Sequence, residues 1–399
     1  MASNKEKYLL LSCKEFDNVV EQMITTDKST CNSKISSINN KNPGYKTYLE
    51  NIGAKESSAI LLAEYKKKMT KCESKNFIKG FINWGSYPDG TPNIKMDKDT
   101  TTKLKGRKVI FLAYFTFNES NVTTIIDQIM FLNSLSHYGV AEINIVLPFF
   151  PVGTMERIVG EGEIPTGYSL AHMINSIPQG DTKNKIYIFD IHALCSRFFF
   201  NTNVIPILVT MMPEYINHIE KITNETNVIV FPDDGAKKRF EKVLPKDFLK
   251  ITCSKQRIGT DRIIKIDDGL EKLLNTNKTL KSGIINFFII DDLVQTGRTL
   301  TETIKGIRIS LKDTLGYNAE KLKFHPIVTH SIFPNDKNNS FFNNPDITSL
   351  ITTDSRPTKI NEMKDKKNGI KLQVMPISVS LTNIFKGEPG NYIAPYILS

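Results

Sequence analysis

Apolar residues recur along this chain in two rhythms, and the switch between them marks its elements. Short apolar runs, too brief for a helix and rich in β-branched and aromatic residues, read as buried strands. They fall at Tyr8–Ser12, Val109–Tyr114, Ile143–Leu147, Ile186–Leu194, Val228–Phe231, Phe248–Cys253, Ile284–Ile290 and Phe324–Thr329. Elsewhere apolar side chains return every three or four residues, the spacing of one helix face. Phe16, Val19, Val20 and Met23 make such a face, and so do Ile125, Ile129, Leu132 and Leu135, with Gly139 as the stop. Helices are also expected near Pro213–Thr223 and under Leu300, Ile304, Ile307, Leu311 and Leu315. For the last of these, Thr299 and Glu302 fit a capping box and Gly316 fits the C′ position. Strands alternating with helices predict an α/β fold with mainly parallel sheets.

Polar stretches interrupt this rhythm. Residues Thr25–Lys46 are rich in Ser, Thr, Asn and Lys without periodicity, and order returns at Phe77. A polar insertion over about 25–76 is expected, with one helix at Leu61–Met69 inside it. Trp84–Asn93 reads as a turn-rich loop, and the Asn-rich Pro334–Pro345 as a surface loop. A length of 399 residues suggests two or three domains. The expected crossing lies between Asn201 and Thr210, giving domains 1–208 and 209–399.

Composition narrows the function. Hydrophobic and charged shares of 40% and 24% are those of an ordinary globular protein. The net charge of +10 is scattered rather than gathered into a block, which favours small anions over nucleic acid as partners. Five cysteines (Cys13, Cys31, Cys72, Cys195, Cys253) are odd in number and form no CxxC pair. That argues for a reducing compartment and against structural zinc. The start has no signal-peptide h-region and no apolar run is long enough to span a membrane, so a cytoplasmic protein without membrane partners is expected.

The chemistry gathers at one place. Asp291 and Asp292 stand where the run from Ile284 should end, followed by Gln295-Thr296-Gly297-Arg298-Thr299 and a helix. A strand, a small-residue turn and a helix N-terminus leave free N–H groups and a dipole that favour phosphate. Acids at the strand end are placed to accept hydrogen bonds from sugar hydroxyls, so the expected ligand is a phosphorylated sugar. Lys255 and Arg257 are two apart on an extended segment, which puts two cations on one face. Such a pair is costly unless an anion joins it.

This pattern resembles the ribose-phosphate loop of type I phosphoribosyltransferases and of ribose-phosphate pyrophosphokinases. Resemblance to the second family runs from about Tyr8 to Thr382, broken by the insertion. It is carried by Leu147-Pro-Phe-Phe-Pro151, Asp190-Ile-His192-Ala193, Phe231-Pro-Asp233-Asp-Gly235, Lys255-Gln-Arg257, Thr329-His-Ser-Ile-Phe333 and Thr352-Thr-Asp-Ser355. A phosphoribosyltransferase would share only the Asp291–Thr299 site. The family implies two pseudo-duplicated type I phosphoribosyltransferase-like domains, each a mainly parallel sheet flanked by helices, with ligands at the strand C-termini. It implies transfer of pyrophosphate from ATP to O1 of ribose 5-phosphate, giving phosphoribosyl pyrophosphate and AMP for nucleotide biosynthesis.

The resemblance also assigns residues. Lys255 and Arg257 would be catalytic, on a mobile hairpin over the triphosphate. Asp291, Asp292, Gln295, Thr296, Gly297, Arg298 and Thr299 would bind ribose 5-phosphate, with Arg298 standing where the family has a small residue. Trp84, Tyr87, Asp89, Arg157 and His192 would bind ATP, and His192 with Asp233 would hold Mg²⁺. A homo-oligomer with its active site near a subunit interface is implied. Thr154 and Met155 replace an Arg-Gln pair of the common bacterial-type enzymes, and Thr154-Met-Glu-Arg157 resembles the divergent plant-type class, which is described as needing no phosphate activation. Two other readings stay open: a catalytically weak, synthetase-associated regulatory subunit, and a phosphoribosyltransferase acting on a nucleobase. Phe198, Phe199 and Phe200 are expected in the core, His330 is expected to be structural, and two of Lys237, Lys238 and Arg239 are expected on a solvated face.

Overall fold

A computed structural model describes residues 7–28, 74, 76–117, 124–258, 261–268, 283–315, 319–334, 340–365, 370–387 and 392–393. The expected helix at Leu61–Met69, most of the expected insertion and Gly316 lie outside them. The first half holds β1 (Tyr8–Ser12), α1 (17–28), β2 (Phe77–Lys79), β3 (Ile82–Ser86), β4 (Pro92–Met96), α2 (Lys98–Leu104) and β5 (Lys108–Leu112). It continues through α3 (Ile125–Ser134), β6 (Glu142–Leu147), α4 (Thr166–Asn175), β7 (Asn184–Phe189) and β8 (Val204–Val209). The second half holds α5 (Met212–Glu220), β9 (Thr226–Phe231), α6 (Asp234–Phe240), β10 (Leu249–Ile258), β11 (Asp261–Asp268) and β12 (Ile285–Val294). It ends with α7 (Arg298–Leu315), β13 (Leu322–Ser331), β14 (Ser349–Thr353), α8 (Pro357–Asp365), β15 (Lys371–Met375) and α9 (Ile377–Phe385).

Two sheets result. The first is six-stranded and parallel throughout, in the order β2-β1-β5-β6-β7-β8. The second is seven-stranded, in the order β11-β10-β9-β12-β13-β14-β15, and parallel except for the β10–β11 hairpin at its edge. A parallel sheet must be covered on both faces, which is why its strands read as continuous apolar runs rather than alternating ones.

Side chains alternate across a strand, so each strand feeds two cores. Leu9, Leu11, Val109 and Phe111 join an outer core against α2, α3 and α4, while Val228, Val230, Phe287 and Ile289 join another against α7 and α8. Their neighbours Leu10, Ile110, Leu112, Ile229, Phe231, Phe288 and Ile290 meet in a third core shared by both sheets, with α1, α5 and α9 packed into it. That shared core fixes the two halves against one another. At roughly 25 cal/mol per Å² of apolar surface it also carries much of their cohesion.

Several boundaries differ from the sequence reading, each for a local reason. β7 stops at Phe189 because Asp190 adopts a φ of 33°, so Asp190 and His192 lie beyond the strand. β12 runs on through both acids to Val294, since Leu293 and Val294 still pair with His330 and Ser331. Trp84–Asn93 is a β3–β4 hairpin rather than a bare loop. Phe198 is 73% exposed, held under the Arg197 guanidinium instead of in the core. Phe341 and Phe342 of the expected surface loop are buried against Phe333.

The last helix belongs to the interior. Asp354, just past β14, accepts the Ile377 N–H at 2.8 Å and so anchors the start of α9. The Phe385 ring then packs on Tyr8 and Tyr187 of the first sheet. Burial pushes the Asp354 carboxyl up to about 6, against the opposing effect of that hydrogen bond. A carboxyl whose pKa rises on folding favours the folded state while protonated, and this contribution is lost as pH climbs through about 6. Asp354→Asn keeps an acceptor for Ile377 but has no charge to bury. Its melting temperature relative to the wild type should therefore be higher at about pH 8 than at about pH 5. An equal difference at both pH values in thermal scans would count against this account.

Candidate active site

The site is built where β12 gives way to α7. Gly297 sits at the turn with a φ of 77°, a left-handed conformation that side chains resist, and the Phe341 ring lies where a Cβ would go. The helix starts two residues earlier than expected: Thr301 donates its N–H to the Gly297 carbonyl, so Gly297 takes the cap position and Arg298 the first turn. The expected Thr299–Glu302 box is replaced by an Arg298–Glu302 ion pair at 2.5 Å along the exposed side of the helix. The opening N–H groups of α7 have no partner inside the helix and end at the turn, which makes it an anion cradle.

The two acids next to this turn differ sharply. Asp292 is 2% exposed; its Oδ2 meets His192 Nδ1 at 2.7 Å and its Oδ1 accepts from Arg239 Nη1. Burial works to raise its carboxyl, but His192 and Arg239 outweigh burial and hold it well below the usual carboxylate range. Asp291 is half-buried and accepts the Asp292 N–H at 2.9 Å. Burial, then the Asp292 and Asp233 charges, push its carboxyl well above the ordinary value. Asp233 caps α6, accepting the Ala236 N–H at 3.0 Å.

One cleft of about 520 Å³ gathers most of the residues nominated from sequence. His192, Asp233, Asp291, Asp292, Gln295, Thr296, Gly297, Arg298 and Thr299 all line it. It lies at the C-terminal end of the second sheet's strands, where β7's continuation from the first sheet meets them. A smaller cavity of about 120 Å³ adjoins it through His192, Leu293 and Gln295, and Thr154 lines that one.

Other nominated residues lie elsewhere. Trp84 is taken up by packing: its ring sits against Phe111 and Phe131, at 5.4 Å edge-on from the latter, and its Nε1–H donates to the Ser12 carbonyl. Tyr87 is exposed beyond the end of β3, and Asp89 accepts the Thr91 N–H within the turn. Arg157 is 77% exposed and pairs with Glu156 at 3.5 Å. Lys255 and Arg257 stand on β10, opposite Ile264 and Arg262 of β11, and their side chains lie outside the described residues.

Arg239 stands at the cleft although it is not among the site residues named from the sequence. It is buried, and its second nitrogen donates to the His192 carbonyl oxygen at 2.5 Å. The signal was present: Arg239 follows the buried Ala236 by three residues and precedes the buried Phe240, so it shares the inward face of α6.

Among the described residues, no three His, Cys, Asp or Glu side chains are grouped closely enough to hold a metal ion alone. The mutual repulsion of Asp291, Asp292 and Asp233 nevertheless suits a hard cation that takes few protein oxygens and completes its shell elsewhere.

Two parallel sheets facing across a common core, with acids and a phosphate-type turn at their strand ends, define an α/β protein of the phosphoribosyltransferase type. The solved phosphoribosylpyrophosphate synthetase from Mycobacterium smegmatis shares the fold, at a TM-score of 0.58 and 16% identity over 78% of this chain and 91% of that one. No family model matches the chain. Among curated proteins, ribose-phosphate pyrophosphokinase 4 of Oryza sativa subsp. japonica is 35% identical over 255 residues, 63% of this chain and 70% of its own length. Ribose-phosphate pyrophosphokinase 3, chloroplastic, of the same organism is 33% identical over 296 residues, 72% of this chain and 65% of its own length. The chain belongs to the ribose-phosphate pyrophosphokinase family, and it spans about two thirds of the length of these relatives.

The turn offers a direct test. Gly297→Ala places a Cβ against Phe341 at a left-handed φ, and about 1–3 kcal/mol of folding stability should be lost. Urea unfolding reads this as a lower midpoint at unchanged slope. A variant with the wild-type midpoint would show that the turn can be rebuilt without a left-handed residue.

Proposed function

We propose that the protein is a ribose-phosphate diphosphokinase, transferring pyrophosphate from ATP to O1 of ribose 5-phosphate. The observation that carries this reading is the single cleft that joins Asp233 and Asp291 to the whole Gln295–Thr299 turn. The sugar 5-phosphate sits in the turn at the N-terminus of α7, and Asp291 accepts from the ribose hydroxyls. The 1-hydroxyl oxygen attacks the β-phosphorus of ATP: the O1–Pβ bond forms, the bond from Pβ to the bridging α-oxygen breaks, AMP leaves, and the hydroxyl proton is released.

The transferring group gains negative charge as it passes, so fixed cations carry the rate. Lys255 and Arg257, on the β10–β11 hairpin at the sheet edge, supply them. Mg²⁺, which His192 and Asp233 would hold together with oxygens from the substrates, would neutralise phosphate charge when bound. Tyr87, Asp89 and Arg157 are exposed and absent from the cleft lining, which supports ATP being completed by a neighbouring copy of the chain in a homo-oligomer. A cytoplasmic setting fits the free thiols of Cys13, Cys195 and Cys253. No helix among the described residues is long and apolar enough to cross a membrane.

The test is whether purified protein with Mg²⁺ converts ATP and ribose 5-phosphate into AMP and phosphoribosyl pyrophosphate. Turnover is expected in phosphate-free buffer, with little rise on adding phosphate, because a protein already resting in its competent state gains nothing from an activator. Ribose-dependent AMP formation that fails to appear would sink the proposal.

The cationic pair makes a sharper demand. Lys255→Ala or Arg257→Ala should lower kcat by about 10²–10³ while changing KM much less, since the contacts tighten mainly in the transition state. Steady-state kinetics giving near-full kcat in both variants would remove the hairpin from the mechanism.

A further inference from the structure

The two neighbouring acids, alike in sequence, have different freedom. Both oxygens of Asp292 are taken, Oδ1 by the Arg239 guanidinium and Oδ2 by His192 Nδ1, and the carboxylate is almost fully buried. Asp291 has neither partner and is half-buried beside the turn. A ribose hydroxyl that came to Asp292 would have to share oxygens already engaged by Arg239 and His192 at a site nearly out of water, where loosening such a pair is costly. Asp291 asks no such exchange.

Arg239 does more than neutralise Asp292. Its planar fork reaches two acceptors at once, the carboxylate on β12 and the His192 carbonyl on the segment leaving β7. That segment carries Asp190 at a φ of 33°, a conformation that persists only when its surroundings hold it. Asp292 then fixes the His192 ring, since its carboxylate meets Nδ1 and leaves Nε2 as the ring nitrogen it does not engage. The three groups come from α6, β12 and the first sheet, so the arrangement exists only when the two halves are docked.

We propose that Arg239 is the positioning residue of this site: it withdraws Asp292 from the sugar-binding set, leaves Asp291 as the carboxylate that meets the ribose hydroxyls, and holds His192 in place across the junction. This rests on the functional reading above. It departs from the expectation that both acids bind the sugar.

Titration calorimetry with ribose 5-phosphate and steady-state kinetics separate the roles. Asp291→Asn should weaken sugar-phosphate binding by about 10- to 100-fold, the usual loss of a hydrogen bond to a charged group. Asp292→Asn and Arg239→Met should keep that affinity within about threefold yet lower kcat by tenfold or more. Arg239→Lys restores the charge but not the fork, so it should recover only part of kcat. Thermal unfolding without ligand adds a cycle of Arg239→Met, Asp292→Asn and the double variant, in which the double should be no less stable than the worse single. Sugar-phosphate affinity falling as far in Asp292→Asn as in Asp291→Asn would overturn the inference, as would full kcat in Arg239→Met. Should Arg239→Met not fold, Arg239→Lys alone decides the kinetic arm: wild-type kcat overturns the inference. Wild-type protein without sugar-phosphate affinity would overturn the functional reading instead, and strictly additive losses in the ligand-free cycle would still overturn the Arg239–Asp292 linkage.

Discussion

The Asp190 carboxylate is the joint of this molecule. It is fully buried where β7 ends, and its Oδ2 accepts from the Met211 N–H at 3.1 Å and from the Thr329 hydroxyl at 2.6 Å. Thr329 lies on β13 of the second sheet and also meets the Tyr215 hydroxyl at 3.1 Å. Next to it, His330 bridges the Ser355 hydroxyl and the Phe189 carbonyl oxygen, each at 2.9 Å. Burial lowers the His330 ring to about 4, so it bridges as a neutral group with one donor and one acceptor. A polar network this deep depends on its members finding partners, and of the side-chain atoms in it Asp190 Oδ1 is left without one among the described residues. Here those partners come from both sheets, and the cleft stays open because the joint sets the angle between them.

The contrast between Asp291 and Asp292 shows how little the sequence distance between two groups constrains their chemistry. Both lose water, and loss of water alone would push both carboxyls up. Arg239 and His192 reverse this for Asp292, and nothing comparable does so for Asp291, which also faces the Asp292 charge. The cleft thus holds one carboxylate pulled down by its two partners and another pushed up by burial and by the charges beside it.

What could be read in the chain follows the reach of the forces. Strand runs and the turn at Gly297 are local, and so is the alternation that sends Leu9 and Leu10 into different cores. The family resemblance added the residues that line the cleft. Arg239 escaped because its role depends on a carboxylate 53 positions away and a carbonyl 47 positions away. Trp84 was nominated for ATP through the resemblance, and its ring packs on Phe111 and Phe131, which only the folded sheet brings near. Phe341 likewise backs the turn from a stretch whose Asn content advertised a surface loop.

The placement of α9 has a consequence for how the chain is made. Its side chains fill the core shared by both sheets, and Tyr392 and Ile393 beyond it pair with Thr210 and Val209 at the edge of the first sheet. A ribosome delivers the six strands of that sheet well before residues 377–393 emerge. Until they do, the inner face bearing Leu10, Ile110 and Tyr187 lacks the part of its cover that α9 supplies. The nascent chain therefore passes through an interval in which an apolar sheet surface is complete but unsealed, a state that invites chaperone binding or mispairing with other chains. Sealing comes from the far end of the sequence, so the first half matures last.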